Sequence, residues 1–275
     1  MRIKLLLLGL AASATMMAQT TYKPQLTKGL VKNYNQDITL KVISQGQDYD
    51  ATIHVEDRYE VTYASRDSAI IDYTVTKLDT QGPKEAIEAA DGDFGLLLNK
   101  TLKASYNPDG TFRHILNAKE LIDGTTGNAK QITEELFTDN TYAVKLQSSL
   151  MWMLMGKTIT TGMTENFEVE HLNRKRTFTV SPDGRQVDVK ITSGMTEEET
   201  KAWLKSMLEK SGQNIGDNFD QTYTTLKTMG MADIKVEGNV HINVGADDWV
   251  SSGESTLKMK LLGNELETTI KYTTR

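Results

Sequence analysis

The chain has 275 residues, 31 Lys and Arg against 37 Asp and Glu (formal net charge −6), and no cysteine. The acidic balance argues against nucleic acid as a partner, which needs a basic stripe. The lack of cysteine excludes disulfides, thiolate catalysis and cysteine–metal sites together. Four prolines and no Ser- or Gly-rich linker favour one domain over 19–275, large enough to hold a core without disulfides.

The first segment reads as an address. Met1-Arg-Ile-Lys4 is basic, and Leu5 to Ala14 is apolar but shorter than the about 20 residues a membrane-spanning helix needs. Met16-Met-Ala18 offers a cleavage site before Gln19. This pattern predicts a secretory signal peptide over 1–18 and a periplasmic or extracellular location; the alternative is a buried first helix. No cysteine follows the apolar run, which argues against a lipoprotein of the usual kind. No second long apolar stretch follows, so no transmembrane segment is expected in the mature chain.

One-sided strands come next. Ile38, Leu40 and Val42 alternate with polar residues, as do Tyr59, Val61 and Tyr63, and then Ile71, Tyr73 and Val75. Strict alternation marks a strand with one buried face. Lys84 to Ala90, rich in Ala and Glu, predicts a short helix; Asp91 to Gly95 interrupts it, and a strand resumes over 100–106. Tyr106-Asn-Pro-Asp-Gly110 and Val180-Ser-Pro-Asp-Gly184 are near copies, each set between strand-like runs. Pro presets φ and Gly accepts positive φ, so both predict hairpins. A capping-box spacing follows each, Asn117 to Glu120 and Thr196 to Glu199. Internal duplication and the plain frequency of such turns both account for the echo.

Amphipathic helices are predicted around Ala129, Ile132 and Leu136; from Asp139 or Asn140 through Leu154; from Thr196 to Gly212; and from Phe219 to about Gly230. The chain closes with three strands over 232–244, 255–262 and 265–273, with Gly263-Asn264 turning the last hairpin. In the first of these, Ile234, Val236, Val240, Ile242 and Val244 share one face. Burying those five side chains is worth roughly 7–15 kcal/mol, so something must cover them.

The predicted fold class is α+β: a curved, mostly antiparallel, unclosed half-barrel of about ten strands, wrapped round several helices on its concave side. A sheet of that size offers roughly 1,100 Å² of apolar face, and four helices cover roughly 900 Å². That near balance fits a closed core and an open groove equally. A cysteine-free chain with a leader, a meander of one-sided strands, helices in the middle and a closing hairpin resembles the lipoprotein-carrier superfamily (LolA, LolB and LppX-like proteins). The resemblance covers most of 28–275 and is architectural, with no diagnostic motif. It implies a half-barrel that binds acyl chains or other lipids on its concave side. Leader and composition are also similar to secreted proteins of the Bacteroidetes, where a sequon like Asp67-Ser68-Ala69 directs O-glycosylation, making Ser68 a candidate acceptor.

Leu150, Met151, Trp152, Met153, Leu154 and Met155 are apolar all round for more than one helical turn. Methionine is common on adaptable binding surfaces, so this run is the candidate ligand-binding segment. Central placement in the core explains the same pattern. No catalytic constellation is legible. His54, His114, His171 and His241 are dispersed, and no pair has the spacing of helical metal ligands. Ser255-Thr-Leu-Lys258 matches S-x-x-K, but in a strand positions i and i+3 point to opposite sides. Asp93-Phe-Gly95 lacks any companion kinase motif. Asp91 with Asp93, and Asp217 with Asp220, fall short of a calcium loop. The expectation is a non-enzyme without cofactor or metal that holds an apolar ligand (lipid, acyl chain or lipoprotein) between sheet and helices. The alternative is an envelope interaction or scaffold protein with a fully packed interior.

Overall fold

The computed structural model describes residues 19–43, 48–84, 87, 94–125, 128–169, 172–193, 195–210, 219–229, 232, 234–261 and 263–275. Eleven strands form one antiparallel sheet: β2 (Val31–Ile43), β3 (Tyr49–Ala64), β4 (Ala69–Gln81), β5 (Thr101–Tyr106), β6 (Phe112–Ile115), β8 (Thr164–Val169), β9 (Leu172–Val180), β10 (Gln186–Ser193), β11 (Lys235–Val244), β12 (Val250–Leu261) and β13 (Asn264–Thr274). A two-stranded ribbon pairs β1 (Gln19–Thr21) with β7 (Thr158–Thr160).

The spatial order is β6-β5-β4-β3-β2-β13-β12-β11-β10-β9-β8. β2 and β13 lie side by side at the centre, Tyr34 opposite Thr274 and Val42 opposite Leu266. The edges, β6 and β8, flank the middle of the sequence and do not pair with each other, so the sheet is unclosed. The chain must therefore cross from one edge to the other between 116 and 163. That crossing is the helical block: α1 (Ala118–Asp123), α2 (Asn128–Leu136), α3 (Asp139–Ser148) and an irregular run to Gly156.

α3 is pinned at both ends. The Asp139 carboxylate accepts from the Ile115 N–H on β6 at 2.8 Å. The Gln147 carbonyl accepts from Arg176 Nη1 on β9 at 2.7 Å. A helix thus fills the gap that strand pairing leaves.

Both Pro-Asp-Gly segments are hairpin turns, with Gly110 at φ 89° and Gly184 at φ 72°. In each, the Asp carboxylate accepts from the backbone N–H two residues on, Thr111 and Arg185, at 3.0 Å. The Thr196 box is reciprocal: Glu199 N–H donates to Thr196 Oγ1 at 3.2 Å and Thr196 N–H to Glu199 Oε2 at 2.7 Å. Asn117 departs from expectation. Its side chain makes no cap because β5 claims it, Oδ1 accepting from Lys103 N–H and Nδ2 donating to the Thr101 carbonyl.

One other expectation is corrected. Tyr63 is exposed although it shares parity with Tyr59 and Val61, because a bulge between Val61 and Tyr63 shifts the register. α4 (Glu197–Lys210) and α5 (Phe219–Thr228) build a small core of their own from Leu204, Phe219, Tyr223 and Ala232, apart from the main one. Most of the expected helix over 84–90 and all of 1–18 lie outside the described residues.

Candidate functional site

The predicted helix through Leu154 stops early. α3 ends at Ser148, and Ser149 is extended at φ −72°, ψ 135°. Ser148 Oγ bonds back to the Lys145 carbonyl at 3.0 Å, the local competition that weakens helix ends. A run apolar on all sides also has no wet face to offer, so it sinks into the core as successive turns. Trp152 and Met153 N–H both bond the Ser149 carbonyl, and Lys157 N–H the Leu154 carbonyl. Gly156, at φ 73°, ends the run with its N–H on the Tyr22 carbonyl. All six residues from Leu150 to Met155 are buried in the main core.

Two cavities border this run. The first, about 240 Å³, lies between it and the centre of the sheet. Leu146, Leu150 and Trp152 form one wall and Tyr59, Tyr73, Ile270 and Tyr272 the other; the exposed Lys145 and Ser148 mark the rim. The second, about 380 Å³, lies at the seam between the sheet edges, among Thr111, Phe112, Gln147, Met155, Lys157 and Glu165. Leu146 and Trp152 line both. Met151, Met153 and Leu154, predicted with the others, line neither cavity and pack in the core.

Trp152 is the hub of an aromatic cluster. It stacks on Tyr106 at 4.8 Å and 16°, and meets Tyr59 and Trp249 edge-on at 6.0 and 5.9 Å. Tyr59 lies 4.8 Å from Tyr73, and Tyr34 stacks on Tyr272 at 4.5 Å. Each such pair is worth about 0.5–1.5 kcal/mol beyond area burial, so the walls of the first cavity are held rigidly. The Tyr34 hydroxyl donates to the Val250 carbonyl at 2.8 Å.

Beneath that cavity sits Asp57, 1% exposed, on the inward face of β3. Gln36 Nε2 donates to Oδ2, and the Tyr73 hydroxyl donates to Oδ1 at 2.8 Å. Burial pushes the carboxyl up to about 6 against the pull of these two bonds, and no cation contributes. At the seam, Glu165 lies between Lys157 Nζ, at 2.6 Å, and Arg176 Nε. Arg176 is 2% exposed, with Phe167 4.6 Å and Phe178 5.6 Å away. Burial lowers the pKa of both cations.

Asp57, Arg174 and Arg176 were not singled out by sequence reasoning. The signal was there: each sits on the apolar phase of its strand, in Ile53-Val55-Asp57-Tyr59 and Leu172-Arg174-Arg176-Phe178. A charge on the buried phase marks a site that must be paired or functional.

Ser68 stands half-buried in the β3–β4 turn, its N–H on Ser65 Oγ at 3.2 Å and its carbonyl accepting from Ser65 N–H at 2.8 Å. His54 and His241 pair with Asp37 and Asp188 at 2.7 Å on the outer face. Ser255 and Lys258 lie on β12, as S-x-x-K chemistry forbids. Asp220 pairs with Lys201 at 2.6 Å; Asp91, Asp93, His171 and Asp217 lie outside the described residues. No helix among the described residues is long and apolar enough to cross a membrane.

Fold and site define an open antiparallel half-barrel with a helix in its seam and an aromatic cavity over its centre. No family model and no curated protein matches the chain. Among solved structures it is similar to lipovitellin, from work on lipid–protein interactions, at 10% identity and TM-score 0.44. That match covers 91% of this chain and 25% of the other, so the chain spans about a quarter of the lipovitellin chain. It is also similar to DynF from the dynemicin biosynthesis pathway of Micromonospora chersina, at 7% identity and TM-score 0.23, covering 93% and 84% of the two chains.

Proposed function

We propose that this protein, exported and freed of residues 1–18, binds an apolar ligand (a lipid or acyl chain) between the sheet and the 145–152 segment. The observation that carries the reading is the first cavity. Its walls are aliphatic and aromatic, its rim is exposed, and it shares Leu146 and Trp152 with the seam cavity. Binding sites are concave and mostly apolar with a few placed polar groups, and Gln36, Ser255 and Tyr272 supply those here. The role is binding without catalysis, in the periplasm or outside the cell.

Native mass spectrometry of gently purified protein tests this, together with titration of an environment-sensitive apolar fluorophore. Adducts of lipid mass and a saturable probe response quenched by Trp152→Phe are expected. A bare spectrum with no probe response refutes the reading.

A scaffold reading has its own support in the close packing of Met151, Met153 and Leu154, at 0–2% exposure. It expects the first cavity to exclude every apolar probe while the polar outer face engages another envelope protein.

A further inference from the structure

The proposed binding site carries a feature that an acyl chain alone does not use. An ionisable carboxyl, Asp57, is buried directly behind an aromatic cavity, clamped by two of that cavity's lining residues, Gln36 and Tyr73. It serves those two donors, but a neutral acceptor would serve them without a buried charge. A hydrophobic residue there would continue the Ile53-Val55-Tyr59-Val61 face, and desolvating a carboxylate is costly without a counter-charge. A bulge stands beside it: the β3–β4 register shifts between Glu56 and Asp57, leaving Thr76 unpaired in the ladder. Such bulges re-aim side chains near sites.

The second observation is independent. The Tyr272 hydroxyl, 3% exposed and on the cavity wall, makes no hydrogen bond to any described residue. Tyr59 is its polar neighbour: the two hydroxyls act on each other through charge and hydrogen bonding without forming a well-aligned bond, which leaves an oxygen lone pair of Tyr272 free to accept. Around the same space stand the rings of Tyr59, Tyr73, Tyr142 and Trp152. Ring faces attract cations, more strongly when water is excluded.

We infer that the aromatic cavity takes the protonated nitrogen of an apolar amine, with Asp57 as counter-charge, Tyr272 Oη accepting an N–H and the rings flanking the cation. The inference rests on the apolar-ligand reading and narrows it to amphiphiles with a cationic head. The alkyl part lies along Leu146, Leu150 and Ile270. Lys145 stands at the exposed rim of the same cavity, so its charge opposes a cation there and favours seating the ammonium inward, on the Asp57 side.

Octylamine, 1-octanol and octanoate form the test, titrated at pH 7.5 by calorimetry and tryptophan fluorescence against the full mature chain. Octylamine is expected to bind about tenfold or more tighter than octanol, the ratio a desolvated cation–ring contact supports, and octanoate weakest. Asp57→Asn, which keeps size and hydrogen-bonding capacity, should bring the amine-to-alcohol ratio to about one. If that variant fails to fold, Tyr272→Phe takes its place. It should weaken octylamine and spare octyltrimethylammonium, which has no N–H to donate. Equal binding of amine and alcohol, preference for octanoate, a ratio unchanged in Asp57→Asn, or a Tyr272→Phe effect that does not separate the two amines overturns the inference and leaves the apolar site standing. Binding of none of the three overturns both.

Discussion

Replacing Asp57 by Asn tests the electrostatics of the interior directly. Burial holds the Asp57 carboxyl at about 6 in the folded protein, roughly two units above an ordinary aspartate. The folded state therefore binds this proton more tightly than the unfolded state does. Stability linked to Asp57 is fully present below about pH 4 and is lost as pH rises through about 6. At 1.36 kcal/mol per unit the loss is about 3 kcal/mol. Asn cannot ionise, yet its carbonyl can still accept from Tyr73, and Gln36 can turn its amide to face the new NH2. The variant's stability relative to wild type should thus climb by about 3 kcal/mol between pH 4 and pH 7. Urea denaturation of both proteins at half-unit steps from pH 4 to 8 measures that gap, and all other titrating groups cancel in the difference. A gap independent of pH, or one that shrinks as pH rises, refutes the reasoning.

Three further outcomes are expected. Gly156→Ala should destabilise the protein by about 1–3 kcal/mol in urea, because φ is 73° there and a new Cβ would strike Thr111 Cγ2. Glu165→Gln should cost about 2 kcal/mol, less than a fully buried pair because Glu165 is partly solvated; amide exchange should rise first in α3 and β8, the elements that the Lys157–Glu165–Arg176 contacts tie together. Intact-mass analysis of exported material should find an N-terminus at Gln19, leaving β1 whole to pair with Thr158–Thr160, and a glycan on Ser68; retained Met1 or a bare Ser68 removes the respective proposal.

Strand periodicity carried most of the architecture. The inward residues of β9, β10 and β11 alternate through whole strands, and those of β3 as far as Val61, because a one-sided sheet demands it whatever its neighbours are. The two Pro-Asp-Gly turns and the Thr196 box are equally local: their hydrogen bonds span two to five residues. Strand order is different in kind. Pairing β2 with β13 joins segments from opposite ends of the chain, and nothing in either segment names the other. The same holds for the 150–155 run. Its composition required burial, and both a helix and a chain of turns satisfy that. The choice fell to the sheet, whose unpaired edges oblige the chain to cross its concave side at this point.

Residue order alone determined which side chains had to leave water and where the chain could turn, since both follow from period and φ preference. Tertiary structure alone decided what they met: that Asp57 lies behind a ring-lined cavity, that Leu146 and Trp152 border two spaces at once, and that Arg176 reaches the end of α3. Those neighbours lie tens to hundreds of residues apart, and only the curvature of the completed sheet brings them within contact.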